Sequence, residues 1–302
     1  MTTQQLYQSV TDSIVAQLEA GNLQPWKCPW QKTGNGFPLR HNGIAYRGVN
    51  VLLLWMTAAI KGYANPYFLT FNQALDYGGS VRKGEKSSTI LFCQPFNKED
   101  TAEDGKKGKG TAWMARAYHV FSVEQCDGLG DRFAMKQTAI LDPAEKIAHA
   151  ETYFGNTGAT VRHEGHAAYY RPCGDYIGMP AFETFHTADG YYSTLAHECH
   201  HWAGISHRLG RFAYVNHSPA DYAKEEITAE LAATMTMAQL GFDAVSHSDH
   251  AAYLGHWIQA LREDPKYLFQ AASKAQASCD YLNGLQPSFP QDQNVLPIAD
   301  HE

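Results

Sequence analysis

The run Ser193–Gly204, STLAHECHHWAG, carries the strongest chemical signal in the chain, an H-E-x-x-H pattern formed by His197, Glu198, Cys199, His200 and His201. On an α-helix successive residues turn by about 100°, so His197 and His201 lie about 40° apart, one turn from each other. Both imidazoles can reach one ion. Glu198, about 100° round from His197, can reach water on that ion without ligating it. Zinc held in this way lowers the pKa of its water towards ~7. Glu198 then takes the proton and later passes it to the leaving group. This spacing with this division of labour is the metallopeptidase pattern. His200 projects about 60° to the other side of His197 and is expected at the surface or as an outer partner of the site. His163-Glu164-Gly165-His166 is a near miss, its second histidine arriving one residue early.

A third ligand is expected from a second helix, within KEEITAELAATMTM. Glu226 and Glu230 stand one turn apart on one face of such a helix. Glu226 is assigned as the ligand and Glu225 is its alternative. Glu230 is expected to accept a hydrogen bond from a ligand histidine and set its tautomer. Two histidines and one glutamate leave one position open, the catalytic rather than the structural arrangement of Zn2+. Another divalent metal such as Mn2+ or Co2+ would also suit. Upstream, YYRPCGDYIGMP can border the cleft, where an extended strand pairs with a peptide by β-addition, with Asp175, Met179 and Pro180 flanking the site.

The N-terminal half carries a different chemistry. Single strands of nucleic acid bind to aromatic platforms interleaved with positive charge. Here Trp26, Trp30 and Tyr46 are interspersed with Arg47, Arg82, Lys83 and Lys86. Arg47 and Asn50 belong to YRGVN, whose Gly48 permits close backbone approach, and the three other bases belong to the turn SVRKGEK. These eight residues are the candidate DNA-binding set. Charge points the same way. Residues 1–125 hold 13 Lys and Arg against 9 Asp and Glu, whereas residues 126–302 hold 11 against 22. A basic part joined to an acidic part suggests different partners.

The elements that must position these groups follow from periodicity and punctuation. Helices are expected over 4–20, 50–60, 71–77, 143–155, 191–203, 224–240, 248–262 and 265–282. Strands are expected over 67–70, 88–95, 112–121, 160–162 and 167–170, with PCGDYIGMP irregular. The charged, Gly-rich segment 97–110 is expected as a mobile or disordered hairpin loop. The chain has 302 residues, 44% hydrophobic and 18% charged, enough to bury a core. No apolar run approaches a membrane span and no secretion signal opens the chain, which predicts a cytoplasmic protein with no membrane partner. Six scattered cysteines without a C-x-x-C pair predict free, mostly buried thiols.

The chain resembles ArdC-type plasmid antirestriction proteins, whose N-terminal domain is also similar to that of a plasmid-transferred primase. The likeness runs through PWKCPW, YRGVN, LTFNQ, GGSVRKGEKSSTILF and YHVFSVEQ, then through YRPCGDYIGMP, YYSTLAHECHHWAG, KEEITAELAA and ASKAQASCDYL. It implies an α+β fold, with a single-stranded-DNA-binding domain over 1–130 and a mainly helical zincin-like metallopeptidase domain with a small sheet over 131–302. It implies protection of incoming plasmid DNA from host restriction. Single-stranded DNA, and a protein substrate such as a restriction subunit or a DNA-bound protein, are the expected partners. On transfer, His197, His201 and Glu226 become metal ligands and Glu198 the acid/base. Cys199 stands where the family pattern leads us to expect an apolar residue such as Leu. The alternative function is a non-enzymatic shield of single strands with a structural or vestigial metal site.

Overall fold

A computed structural model describes residues 3–21, 27–30, 36–101, 107–135, 142–211, 217–244 and 250–287. The helices are α1 (Thr3–Glu19), α2 (Val49–Lys61), α3 (Phe71–Asp76), α4 (Pro143–Gly155), α5 (Ala188–Gly204), α6 (Pro219–Leu240), α7 (His250–Glu263) and α8 (Tyr267–Gly284). The strands are β1 (Phe68–Leu69), β2 (Ser80–Val81), β3 (Ser88–Thr101), β4 (Lys107–Ser122), β5 (Cys126–Asp127), β6 (Thr160–His163), β7 (Tyr169–Arg171) and β8 (Tyr176–Met179). The architecture is α+β, and no helix among the described residues is long and apolar enough to cross a membrane.

The two helices that carry the candidate metal-site residues are begun by local chemistry. Thr187 accepts from the Gly190 N–H at the start of α5. At the start of α6, Ser218 and Asp221 form a reciprocal capping box with Pro219 in the first turn, and Gly241 at φ 76° ends the helix. These caps satisfy end groups that the helix itself leaves without partners.

Three small sheets accompany the helices: β1-β4-β3, β2-β5 and β6-β8-β7. In the third, β6 runs parallel to β8 and β7 antiparallel to it. The central strand β8 lies inside the segment that punctuation marks as irregular. Gly178 is what admits it, because a Cβ there would stand 2.6 Å from the Tyr169 ring that crosses it. The hairpin β3–β4 also extends further than periodicity indicates, pairing through Thr101↔Lys107. Backbone pairing continues there without an apolar face to announce it.

Residues on both sides of position 130 enter one hydrophobic cluster. It joins Ile14, Leu18, Trp55 and Phe68 to Ile227, Leu231, Met235, Trp257, Leu268 and Ala272. Thr11 of α1 donates to the Pro265 carbonyl at 2.9 Å, and Gly36 lies so close to the end of α6 that a Cβ would stand 2.2 Å from the Ala238 carbonyl oxygen. A second cluster packs α4, α5 and the third sheet against the other side of α6 through Ala233, Met237 and Leu240. Helix α6 is therefore buried on both sides, which is why its glutamates need an explanation.

Candidate metal centre and nucleic-acid surface

Burying a carboxylate is costly unless it is paired. Helix α6 buries three: Glu225, Glu226 and Glu230. Each faces a histidine of α5. The Nε2 atoms of His197 and His201 are 3.0 Å apart, and Glu226 places Oε2 3.3 Å from the first and Oε1 3.3 Å from the second. The three residues form a cluster of potential ligand atoms that all lie within 4.8 Å of one another. Ligands at about 2.05 Å in a tetrahedron sit roughly 3.3 Å apart, so this spacing and this donor set suit a zinc-like ion.

The outer nitrogens of the two imidazoles are also served. His197 Nδ1 lies 3.5 Å from Glu230 and His201 Nδ1 lies 3.2 Å from Glu225. Glu225 is thus set behind a histidine and against Arg211, away from the cluster that Glu226 joins. Burial works against a charge on His197, but Glu226 and Glu230 beside it hold its pKa well above the usual value. For His201, burial is likewise outweighed by the Glu226 charge and the Glu225 bond, and its pKa rises to about 9. Burial opposes ionisation of Glu226 too, yet the two histidines bring its pKa far down. Glu198 goes the other way: burial beside this cluster pushes its carboxyl up from its ordinary value, the direction that suits a proton carrier near neutral pH.

His200 belongs elsewhere. It is fully buried, with Nδ1 2.8 Å from the Ser278 hydroxyl and Nε2 2.9 Å from that of Thr236. It ties α5 to α6 and α8 rather than reaching the surface. Cys199 packs in the second core, as a buried helix face allows. Cys28 and Cys279 are buried too, whereas Cys173 is exposed in the turn between β7 and β8. In that turn Asp175 adopts φ 49° and accepts from Tyr170 and Arg208. Met179 is buried in the second core.

The candidate DNA residues separate into groups. Trp26 lies outside the described residues. Trp30 and Tyr46 are core residues, 2% and 6% exposed, and present no ring face to solvent. Asn50 is a clamp for β3: its amide donates to the Leu91 carbonyl and its oxygen accepts from the Leu91 N–H, both at 2.7 Å. Arg47 pairs with Asp280 on α8, and Arg82 with Glu85 and Asp127. Lys83 and Lys86 are exposed. Among the described residues of the N-terminal half, two aromatics outside the candidate DNA-binding set are exposed: Phe71 at 50% and Tyr118 at 40%. Tyr118 meets Phe92 edge-on, and Phe92 is in register with exposed Arg116. No local pattern singles them out: Phe71 opens α3, and Tyr118 lies in a stretch of β4 where residues 116–119 are all exposed.

A two-histidine, one-glutamate cluster on a buried helix pair, beside a small mixed sheet, is the arrangement of a zincin-like domain. Residues 148–274 match the family model described as a zincin-like metallopeptidase, and residues 4–121 match the N-terminal domain of anti-restriction factor ArdC. The crystal structure of the antirestriction ArdC protein from the R388 plasmid, metal-free, is 42% identical, with a TM-score of 0.78 over 94% of this chain and 98% of that one. Its Mn(II)-bound structure is 41% identical, with a TM-score of 0.77 over 94% and 99%. The chain belongs to the ArdC antirestriction family. It is also 36% identical to the uncharacterized protein y4eC of Sinorhizobium fredii, over 94% of both chains. With the Escherichia coli DNA primase TraC it shares 34% identity over 96% of this chain but 28% of that longer protein.

Proposed function

We propose that this protein binds single-stranded DNA, protects incoming plasmid DNA from host restriction, and hydrolyses a protein substrate at a metal site formed by His197, His201 and Glu226. The observation that carries the reading is the convergence of those three side chains beside the buried Glu198. A divalent cation bound there supplies Lewis acidity to polarise a carbonyl and activate water; Zn2+ suits the donor set, and the Mn(II)-bound relative supports a broader divalent preference. Glu198 holds the proton taken from the nucleophile and returns it to the leaving amine. Glu230 and Glu225 orient the two imidazoles through their Nδ1 atoms. Strand β7 stands at the edge of its sheet, so an extended peptide can pair with it.

For DNA, the supporting features are the exposed Lys83 and Lys86 and the exposed rings of Phe71 and Tyr118 with Arg116 nearby in the hairpin. The discriminating experiment is Glu198→Gln, which leaves the ligand set in place. Loss of protection in cells, with single-strand binding intact, is the expected result. Unchanged protection would mean that the protein acts as a non-enzymatic shield.

A further inference from the structure

The segment after α5 folds back on that helix. The Arg211 N–H donates to the Gly204 carbonyl at 2.9 Å and the Leu209 N–H to that of Ala203 at 3.1 Å. This return delivers Arg211 into the interior, where its side chain is only 3% exposed. The guanidinium grips Glu225 with two nitrogens: Nε donates to Oε2 at 2.9 Å and Nη2 to Oε1. Nη2 also donates to the His200 carbonyl at 2.7 Å. The same Glu225 oxygen, Oε1, lies 3.2 Å from His201 Nδ1. A carboxylate only accepts, so the shared proton sits on Nδ1, and Nε2 is turned towards Glu226 and His197.

Gly204 belongs to this arrangement. A Cβ there would stand 2.9 Å from Arg211 Nη2 and 3.2 Å from Glu225 Oε1. The glycine leaves the space through which the guanidinium reaches the carboxylate. His197 is served differently, since its Nδ1 faces Glu230.

We infer that Arg211 is a positioning residue for the metal centre, acting through Glu225 to fix the orientation and tautomer of His201, with Gly204 keeping its path open. This rests on His197, His201 and Glu226 being the ligands. A bidentate arginine pair gives the carboxylate a set direction that a flexible ammonium would not. Without it the buried Glu225 would lose its counter-charge and its hold on the imidazole.

The test measures affinity for Mn2+ by electron paramagnetic resonance, with Zn2+ competition, on folded full-length variants. Arg211→Met and Glu225→Leu should each weaken binding by about 10–100-fold. Glu225→Gln retains an acceptor for Nδ1–H and needs no counter-charge, so the Arg211→Met/Glu225→Gln double variant should regain most of the affinity that Arg211→Met removes. A merely structural arginine would lower thermal stability without this rescue of metal binding. Arg211→Met with Mn2+ affinity within about twofold of the unaltered protein would overturn the proposal. Should that variant not fold, Gly204→Ala replaces it: a several-fold loss is expected, and none would overturn the inference. If the unaltered protein bound no Mn2+ or Zn2+, the site itself would fall, and the positioning role with it.

Discussion

Arg208 donates to the Asp175 carboxylate at 2.6 Å while its guanidinium lies 3.7 Å above the Trp202 ring. One side chain therefore clips the β7–β8 turn to the end of the helix that carries His197 and His201. Tyr170, in the edge strand, completes the clip by donating to Asp175 at 2.9 Å. Asp175 is 42% exposed, so solvent discounts the ion pair, but the stacked guanidinium is nearly covered. Arg208→Met is expected to cost about 1 kcal/mol and, on the proposed peptidase reading, to raise KM for a peptide substrate more than it lowers kcat. Asp175→Asn should be milder than Asp175→Ala, because Asn tolerates a positive φ and keeps an acceptor for Tyr170. Steady-state kinetics and thermal melts of the three variants check this; equal losses for Asn and Ala would count against it.

Metal binding should depend on pH. In the metal-free protein His201 is raised to about 9, above the roughly 6.5 of an unfolded histidine. That protonated histidine stabilises the metal-free fold fully below about 6.5, and the contribution is lost as pH rises through about 9. A cation must displace the proton. Affinity should therefore climb as pH rises towards about 9 and then level, with proton release on binding below that pH. Calorimetric titration with Mn2+ in buffers of different ionisation enthalpy measures both, and a flat profile would contradict the assignment.

His200 lies within the H-E-x-x-H pattern yet outside the cluster of potential metal ligands. His200→Leu leaves the Ser278 and Thr236 hydroxyls without their shared partner, at about 1–3 kcal/mol. For a chain of this size each kcal/mol lowers Tm by about 2–4 °C or less. Metal content should be unchanged. A variant that loses its metal while keeping its Tm would reverse the assignment.

The shared core predicts cooperative unfolding. Since α1 and α2 pack in one cluster with α6, α7 and α8, circular dichroism and tryptophan fluorescence should report coincident transitions. Gly36→Ala, whose Cβ would meet the Ala238 carbonyl, should lower stability by about 1–3 kcal/mol without splitting the transition. Two separated transitions would show that the halves fold independently.

On the DNA side, Lys83→Ala/Lys86→Ala should weaken single-strand binding and reduce the salt slope by about 0.7 for each phosphate that is no longer neutralised. Tyr118→Ala should lower stacking affinity with little change in slope, a cost of about 1–3 kcal/mol if a base rests on the ring. Tyr46→Ala should mainly lower stability, because that ring is in the core. Filter binding across a salt series separates the three cases.

Much of the candidate metal site was legible because a helix imposes its own geometry. A four-residue spacing puts His197 and His201 on one face whatever the rest of the fold does, and the same rule aligns Glu226 with Glu230. Helices α4, α5 and α6 are also written locally, in caps and periodicity. Strand β8 was not, since its glycine and flanking turn residues look like a loop until Tyr169 is seen lying over Gly178. The aromatic and basic residues of the N-terminal half were legible as types but not as surfaces.

The sequence by itself therefore determined the chemistry on offer: two imidazoles at one spacing, a carboxylate next to the first of them in the chain, and a glutamate-rich helix downstream. Only the tertiary structure decided which glutamate faces the metal cluster, that Arg211 returns to hold Glu225, and that Trp30 and Tyr46 are core while Phe71 and Tyr118 are surface. The physical reason is range. Helical phase is set within one turn of chain, whereas burial and ion pairing depend on segments that only the folded chain brings together, from 14 residues apart for Arg211 and Glu225 to 254 for Thr11 and Pro265.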